Sequence, residues 1–171
     1  MSGVRLRGRT ACASLSLLAL VMLPCRIHAQ SGAASTPAEP EVRVDLIAGN
    51  RPAIQAGAGV QIPLGYYVRL GADAAVGMRT GQLDGSRVDG RVDLLARFLL
   101  DPFRQTAYGV SGGAGLSARV EPGERVTPLL LVALEVEGRR SPRGWVPALQ
   151  LGLGGGARVG LILRRADAAA R

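Results

Sequence analysis

The sequence predicts an all-β fold in which eight antiparallel strands, connected in up-and-down order, close into a barrel. Two observations carry this prediction: apolar residues recur at every second position in eight runs, and turn-forming residues separate the runs. No helical periodicity competes with this alternation over any long window. Closure follows because an open sheet of eight strands would leave two long edges unpaired.

The first four runs share this alternation. The first ends at the turn signal GNRP, and the second places Ile54 on the face opposite Gln55. After a turn at 63–65, the third run places Arg69 and Asp73 on the face opposite Leu70. The fourth, SRVDGRVDLLARFL, alternates charged with apolar residues and is the clearest of the set. The predicted strands are residues 41–48, 53–62, 66–80 and 86–99.

The last four runs continue the pattern. The fifth alternates Gly and Ser with apolar residues, and the sixth ends with Glu135 and Glu137 opposite apolar neighbours. Turns are predicted at EPGE, GRRSPRG and GGG; the GGG sequence lacks the Lys-Ser/Thr pair and the helix of a phosphate-binding loop. The predicted strands are residues 105–120, 125–137, 145–153 and 157–164.

The composition of the two strand faces indicates which face points outward. In a soluble barrel the apolar face points inward, whereas in an outer-membrane barrel it meets lipid. Here the polar face is rich in glycine, which weakens a water-facing strand but leaves room for Arg side chains in a narrow lumen. Opposite charges on this face can pair across strands, as buried charges must. The predicted lumen charge network is Arg69, Asp73, Arg87, Asp89, Arg91, Asp93, Arg97, Arg119, Glu135, Glu137 and Arg158.

The aromatic residues support the same orientation. When the strands alternate in direction, the aromatic residues beyond the first 29 positions all fall at the barrel end that holds the N-terminus. Interfacial aromatic residues form such girdles in membrane barrels, whereas a soluble core would scatter them. In the usual topology this end is periplasmic, and no second girdle is predicted at the other end. The predicted interfacial belt is Tyr66, Phe98, Phe103, Tyr108 and Trp145.

Residues 41–165 therefore resemble the small eight-stranded outer-membrane β-barrels, the group that contains the OmpA transmembrane domain. The resemblance implies a transmembrane barrel with an apolar outside, a charged and glycine-lined lumen, and a location in the bacterial outer membrane. It also implies outer-membrane lipid and the outer-membrane assembly machinery as partners. The chain departs from the group at its C-terminus, which lacks the usual final aromatic residue, and in its short loops, which disfavour adhesion and receptor roles.

The first 29 residues are predicted to be a secretory signal peptide. Three arginines precede the apolar stretch 11–23, and Ala29 precedes a cleavage site at Gln30. Cys25 also suggests a lipoprotein signal, but Pro24 is a poor substitute for the small residue which that signal needs before the cysteine. Residues 30–40 are predicted to be a disordered leader, and residues 166–171 a C-terminal tail.

Charge and residue content exclude several classes of function. The formal charge of +8 falls to +4 without the predicted signal peptide, and the remaining arginines alternate with carboxylates, so we expect no nucleic-acid partner. The chain after residue 29 has no His, Cys or Lys, so triad chemistry, the usual zinc sites and disulfides are absent. Glu135 and Glu137 have the spacing of an acid–base pair or of partners for lumen arginines. Arg139, Arg140 and Arg143 suit either anionic headgroups or a solvated turn.

These features predict a non-enzymatic outer-membrane barrel with a structural or interaction role, without a cofactor or metal. Two alternatives stay open. One is a narrow pore or a conduit for hydrophobic solutes with the same fold. The other is a soluble secreted β-barrel that binds a small apolar ligand.

Overall fold

The computed structural model describes residues 38–80, 85–103, 107–123 and 125–165. Over these ranges the chain is all-β, and eight antiparallel strands in sequential order form a closed barrel, which confirms the predicted fold class at this level. The predicted signal peptide, most of the predicted leader and the predicted tail lie outside the described residues. The strands are β1 Glu39–Ala48, β2 Ala53–Leu64, β3 Val68–Thr80, β4 Ser86–Leu99, β5 Gly109–Val120, β6 Thr127–Glu137, β7 Trp145–Leu153 and β8 Ala157–Arg165.

Closure depends on pairing between the first and last strands. β1 pairs with β8 from Glu41↔Arg164 to Ala48↔Ala157, and it pairs with β2 on its other side. Each of the eight described strands thus has two hydrogen-bonded neighbours, so none presents a free edge to another chain.

Several strand boundaries differ from the predicted ones by a few residues. β1 begins at Glu39, inside the predicted leader, and β6 begins at Thr127 instead of residue 125. Leu64 belongs to β2 and pairs with Val68, so the turn comprises residues 65–67, and the predicted turn at 63–65 is wrong. The hairpin stays paired up to this point because Gly65, with φ 74°, supplies the left-handed conformation that the tight turn needs. β5 begins at Gly109, and residues 105 and 106 of its predicted start lie outside the described ranges.

Side chains alternate strictly between the inside and the outside of the barrel wall. In β1 the buried and exposed residues alternate along the whole strand, and β7 and β8 show the same period of two. The burial is inverted relative to a soluble protein, because among the described residues nineteen buried side chains are polar or charged and nine are apolar. A small apolar cluster of Leu95, Leu131 and Ala133 lies within this polar interior.

The glycines on the inner face serve two different purposes. A Cβ on Gly71 would lie 2.8 Å from the Arg97 guanidinium, so this glycine leaves room for a charged side chain as the sequence suggests. A Cβ on Gly115 would instead lie 1.9 Å from the carbonyl oxygen of Leu94 on the neighbouring strand. The second kind of glycine permits close approach of backbones, a role that the alternation pattern does not reveal.

Candidate functional site in the barrel interior

The interior holds equal numbers of positive and negative side chains. Eight carboxylates and eight guanidinium groups of the described residues lie inside the barrel, and all are buried except Arg69 and Arg119, whose side chains are 15% and 17% exposed. Because a lone buried charge is costly, such an interior requires charge balance. The acidic members are Glu39, Glu41, Asp45, Asp73, Asp89, Asp93, Glu135 and Glu137; the basic members are Arg43, Arg69, Arg79, Arg91, Arg97, Arg119, Arg158 and Arg164.

Arg164, the penultimate residue of β8, is the centre of one cluster. Its Nη2 donates hydrogen bonds to Glu41 Oε2 at 3.0 Å and to Glu135 Oε1 at 2.7 Å, and its Nη1 donates to Glu137. Glu137 also accepts a hydrogen bond from Arg69 Nη1 at 2.5 Å. This cluster links β1, β3, β6 and β8 near the end of the barrel at which β1 begins.

Asp45 is the centre of a second cluster, in the middle of the barrel. Arg43 Nε donates to Asp45 Oδ2 at 2.8 Å, and Arg91 Nη2 donates to the same oxygen at 2.6 Å. Arg43 also extends to two other strands, with Nη1 at 2.9 Å from Asp73 Oδ2 and Nη2 donating to Gln150 Oε1 at 2.6 Å. A single arginine therefore links β1 with β3 and β7.

The ion pair between Arg158 and Asp93 spans the interior. Arg158 Nη1 on β8 donates to Asp93 Oδ2 on β4 at 2.6 Å, and these two strands are four apart in either direction around the barrel. Arg91 Nε lies 2.9 Å from the same oxygen. Side chains from opposite walls thus meet inside the barrel.

The strand register places like charges side by side on neighbouring strands. Asp73 is the Cα partner of Asp93, and Arg69 is the partner of Arg97. Like charges in such positions repel, so each needs a counter-ion from elsewhere. Asp73 is bound by Arg43 of β1, and Asp93 is bound by Arg158 of β8. Arg69 and Arg97 each contact a carboxylate of β6. At these positions the closest counter-ions on other strands belong to strands that are not direct neighbours, and Asp93 also has Arg91 of its own strand at 2.9 Å.

Asp89 is the centre of a third cluster, toward the other end of the barrel. It accepts hydrogen bonds from Arg79 Nη2 at 2.8 Å and from Gln55 Nε2 at 2.9 Å. Arg119 Nε lies 3.9 Å from its second oxygen, and Glu121 lies 3.7 Å from Arg79 Nε. The charges at this end are partly accessible, since the side chains of Arg119 and Glu121 are 17% and 12% exposed.

The structure places ten of the eleven predicted network residues inside the barrel, each in an ion pair. Arg87 lies on the same face of β4, but its side chain is exposed. Arg87 is the second residue of β4 and precedes Asp89, the first buried carboxylate of that strand. The ten inner members are Arg69, Asp73, Asp89, Arg91, Asp93, Arg97, Arg119, Glu135, Glu137 and Arg158.

The predicted set omits six charged residues of the interior. Arg43 and Arg164 each bind carboxylates from two or more strands. The alternation EVRVD in β1 and the polar faces of β3 and β8 contain the signal that would have found them. The omitted residues are Glu39, Glu41, Arg43, Asp45, Arg79 and Arg164.

Some buried polar atoms have no hydrogen-bond partner among the described residues. They include Arg97 Nη1, the Nε and Nη2 atoms of Arg158, and Ser117 Oγ. Ser117 is the Cα partner of Asp93, which itself binds Arg158, so part of this set lies close together. Groups of this kind are usually satisfied by internal water, so the interior is polar enough to hold water between its ion pairs.

The contacts of Glu135 and Glu137 favour an ion-pair role over acid–base chemistry. Both carboxylates bind Arg164, and each has a further arginine partner on β3 or β4. Within the described ranges, no group of His, Cys, Asp and Glu side chains is arranged to hold a metal ion. In the same ranges no helix is long and apolar enough to cross a membrane.

Aromatic residues lie at the end of the barrel at which β1 begins, called here the aromatic end. The Tyr67 ring stacks on Phe98 at 5.8 Å, and Phe103 lies 6.2 Å from Tyr66 and 6.3 Å from Tyr67. Tyr66 is 77% exposed, and the other three rings are also exposed. Of the predicted belt, Tyr108 is exposed just before β5, and Trp145 is half-buried as the first residue of β7.

The described residues thus define a closed β-barrel whose polar side chains are buried and whose large apolar side chains are exposed. Comparison with known protein families and with curated proteins found no match for this chain. The function must therefore be argued from the barrel itself.

Proposed function

We propose that this protein is a non-enzymatic outer-membrane β-barrel with a structural or interaction role, similar to the group that contains the OmpA transmembrane domain. One observation carries the proposal. Among the outward positions of the eight strands, the one charged residue is Arg165, which is the last residue of β8. The outer wall is therefore a continuous apolar belt, as lipid requires.

Strand length supports the same function. The strands contain 9 to 14 residues, and a tilted strand needs about 9–11 residues to cross a bilayer. The closed pairing leaves no described strand with free backbone groups along an edge, which is the condition for spanning hydrocarbon.

A soluble barrel that binds an apolar ligand is disfavoured by the exposed surface. Leu130, Leu153 and Leu161 are each more than 60% exposed, and similar side chains cover all eight strands. Soluble monomers rarely expose an apolar patch larger than a few hundred Å². The interior also offers such a ligand few apolar contacts, because it is filled mainly by charged side chains.

A narrow pore is the second candidate, and the unpaired polar atoms of Arg97, Arg158 and Ser117 favour it. Water that satisfies these atoms would occupy part of a path through the barrel. The pair between Arg158 and Asp93 argues against free conduction, since it joins opposite walls at 2.6 Å. The primary proposal is therefore a barrel that does not conduct ions.

Three measurements test these functions. The chain without residues 1–29 should fold in detergent or lipid and migrate differently on a gel before and after boiling, and a constant mobility would contradict the barrel in membranes. Expressed with its full N-terminus in a Gram-negative cell, the protein should fractionate with the outer membrane, whereas a periplasmic or secreted product would support the soluble alternative. Reconstituted vesicles should hold ions as well as empty vesicles do, and a leak would support the pore.

Export by a signal peptide that is cleaved before Gln30 belongs to the same proposal. N-terminal sequencing of the mature protein should find Gln30 first, because Ala29 precedes it and Pro24 disfavours lipidation of Cys25. A lipid-modified Cys25 at the N-terminus would make the protein a lipoprotein.

A further inference from the structure

The turn between β6 and β7 is a hydrogen-bonded hairpin at the aromatic end. Gly138 N–H donates to Pro147 O at 2.7 Å, and Ser141 N–H donates to Trp145 O at 2.7 Å. Trp145 N–H donates in return to Ser141 Oγ at 3.2 Å, and Gly144 N–H donates to Ser141 O at 3.0 Å. These hydrogen bonds fix the backbone of the turn next to the first residue of β7.

This hairpin concentrates positive charge around the single tryptophan of the chain. Its sequence, GRRSPRG, contains three arginines and no carboxylate; Arg139 and Arg143 are exposed and Arg140 is half-buried. Arg165 is the Cα partner of Trp145 and is also exposed. In the described turns at this end of the barrel, Asp101 is the one acidic residue. Positive charge therefore predominates around Trp145.

We propose that this basic rim, defined as Arg139, Arg140, Arg143, Arg165 and Trp145, binds the headgroups of anionic phospholipids. Guanidinium groups bind phosphate oxygens with paired hydrogen bonds, and they do so best from a preorganised backbone. Tryptophan prefers the headgroup level of a bilayer, which is where the phosphates lie. The inference rests on the proposed function, because it requires that the apolar belt be embedded in a bilayer.

The opposite end of the barrel offers a matched comparison. It also presents exposed arginines, among them Arg51 and Arg125, but the described residues at that end include no aromatic side chain. Attraction of anionic lipid by net charge alone would occur equally at both ends. The proposed rim requires arginines next to an interfacial tryptophan, so it predicts that anionic lipid is attracted to the aromatic end.

Trp145 makes the proposal directly measurable, because it is the only tryptophan of the chain. The full mature chain is folded into vesicles of phosphatidylcholine with a minority of phosphatidylglycerol. In one preparation the phosphatidylglycerol carries brominated acyl chains, and in the other an equal amount of the phosphatidylcholine does. We expect at least roughly twofold stronger quenching of Trp145 when the anionic lipid is brominated, because surface arginines attract anionic headgroups.

Variants and salt separate the rim from other causes. Arg139→Gln combined with Arg143→Gln should abolish the difference in Trp145 quenching between the two vesicle preparations, and high salt should do the same. Arg51→Gln combined with Arg125→Gln should leave the difference unchanged, since these residues lie at the other end. Each variant is checked for folding by its mobility before and after boiling.

The outcomes distinguish the inference from the function on which it rests. Equal quenching in both preparations by a folded protein would overturn the inference and leave the membrane barrel intact. A chain with no mobility shift and no quenching by either lipid would overturn the membrane barrel, and the inference with it. If the Arg51→Gln/Arg125→Gln variant lost the difference in quenching, net charge would explain the lipid preference, and the proposal of a basic rim would be wrong.

Discussion

Asp93 and Leu94 are neighbours in β4 but belong to opposite sides of the barrel wall. Asp93 is fully buried between two arginines, whereas Leu94 is 56% exposed among other apolar side chains. The inner side depends on specific partners at fixed distances. In the proposed membrane barrel the outer side depends only on being apolar, because lipid adapts to the shape of a side chain. The two sides should therefore tolerate different kinds of substitution, and four variants test this difference.

The largest effect is expected from Asp93→Leu, which removes the carboxylate that binds Arg158 at 2.6 Å and Arg91 at 2.9 Å. Breaking a buried ion pair by removing one partner costs about 3–5 kcal/mol. Reversible unfolding by urea in lipid would measure this change in the free energy of unfolding. The double variant Asp93→Leu/Arg158→Leu should recover part of the loss, because it removes the stranded charge. A change within about 0.5 kcal/mol would indicate that Asp93 faces water.

Leu94→Arg should destabilise the folded barrel in lipid by about 2–4 kcal/mol, the range for arginine near the middle of a membrane. The cost arises because the outward side chain would place a guanidinium in hydrocarbon. The same unfolding assay measures it, with Leu94→Ala as the control for loss of the leucine itself. An arginine that is accepted at no cost would contradict a lipid-facing outer wall.

Gly115→Ala should cost about 1–3 kcal/mol through overpacking. The added Cβ would meet the Leu94 carbonyl oxygen at 1.9 Å, so the two strands must separate. Gly112 lies on the outer side of the same strand, and no atom of the described residues lies within 4 Å of an added Cβ. Gly112→Ala should therefore change stability by no more than about 0.5 kcal/mol. Equal costs at both positions would remove the steric distinction between the two sides.

The smallest effect is expected from Leu94→Phe, which should change stability by less than about 0.5 kcal/mol, as surface substitutions usually do. Lipid accepts the extra volume, whereas a packed protein core would be destabilised by about 1–3 kcal/mol. The free energies of unfolding of Leu94→Phe and Leu94→Arg in lipid, measured side by side, separate the effect of side-chain size from the effect of charge at one position. A costly phenylalanine together with a harmless Asp93→Leu would favour the soluble barrel.

Much of this barrel could be predicted from the sequence because a strand repeats every two residues, and that period is local. The EVRVD and RVDGRVD stretches show which side chains share a face before any tertiary contact is known. The number of strands and the aromatic end follow from the same reasoning, since short turns force neighbouring strands to alternate in direction. Burial and pairing at the ends of strands are predicted less well, as the exposed Arg87 and the turn at 65–67 show. At a strand end, contact with solvent and the geometry of the turn decide these properties, and the alternation of residues does not.

Alternation along each strand is enough to place charged side chains on one face of the wall and apolar side chains on the other. Which charges meet depends on the closed barrel and its strand register. Closure places β8 opposite β4, so that Arg158 binds Asp93, and the register sets Asp73 beside Asp93, so that each needs a partner from farther away. Ion pairs depend on distances in three dimensions between residues far apart in the chain, and alternation along one strand carries no information about those distances.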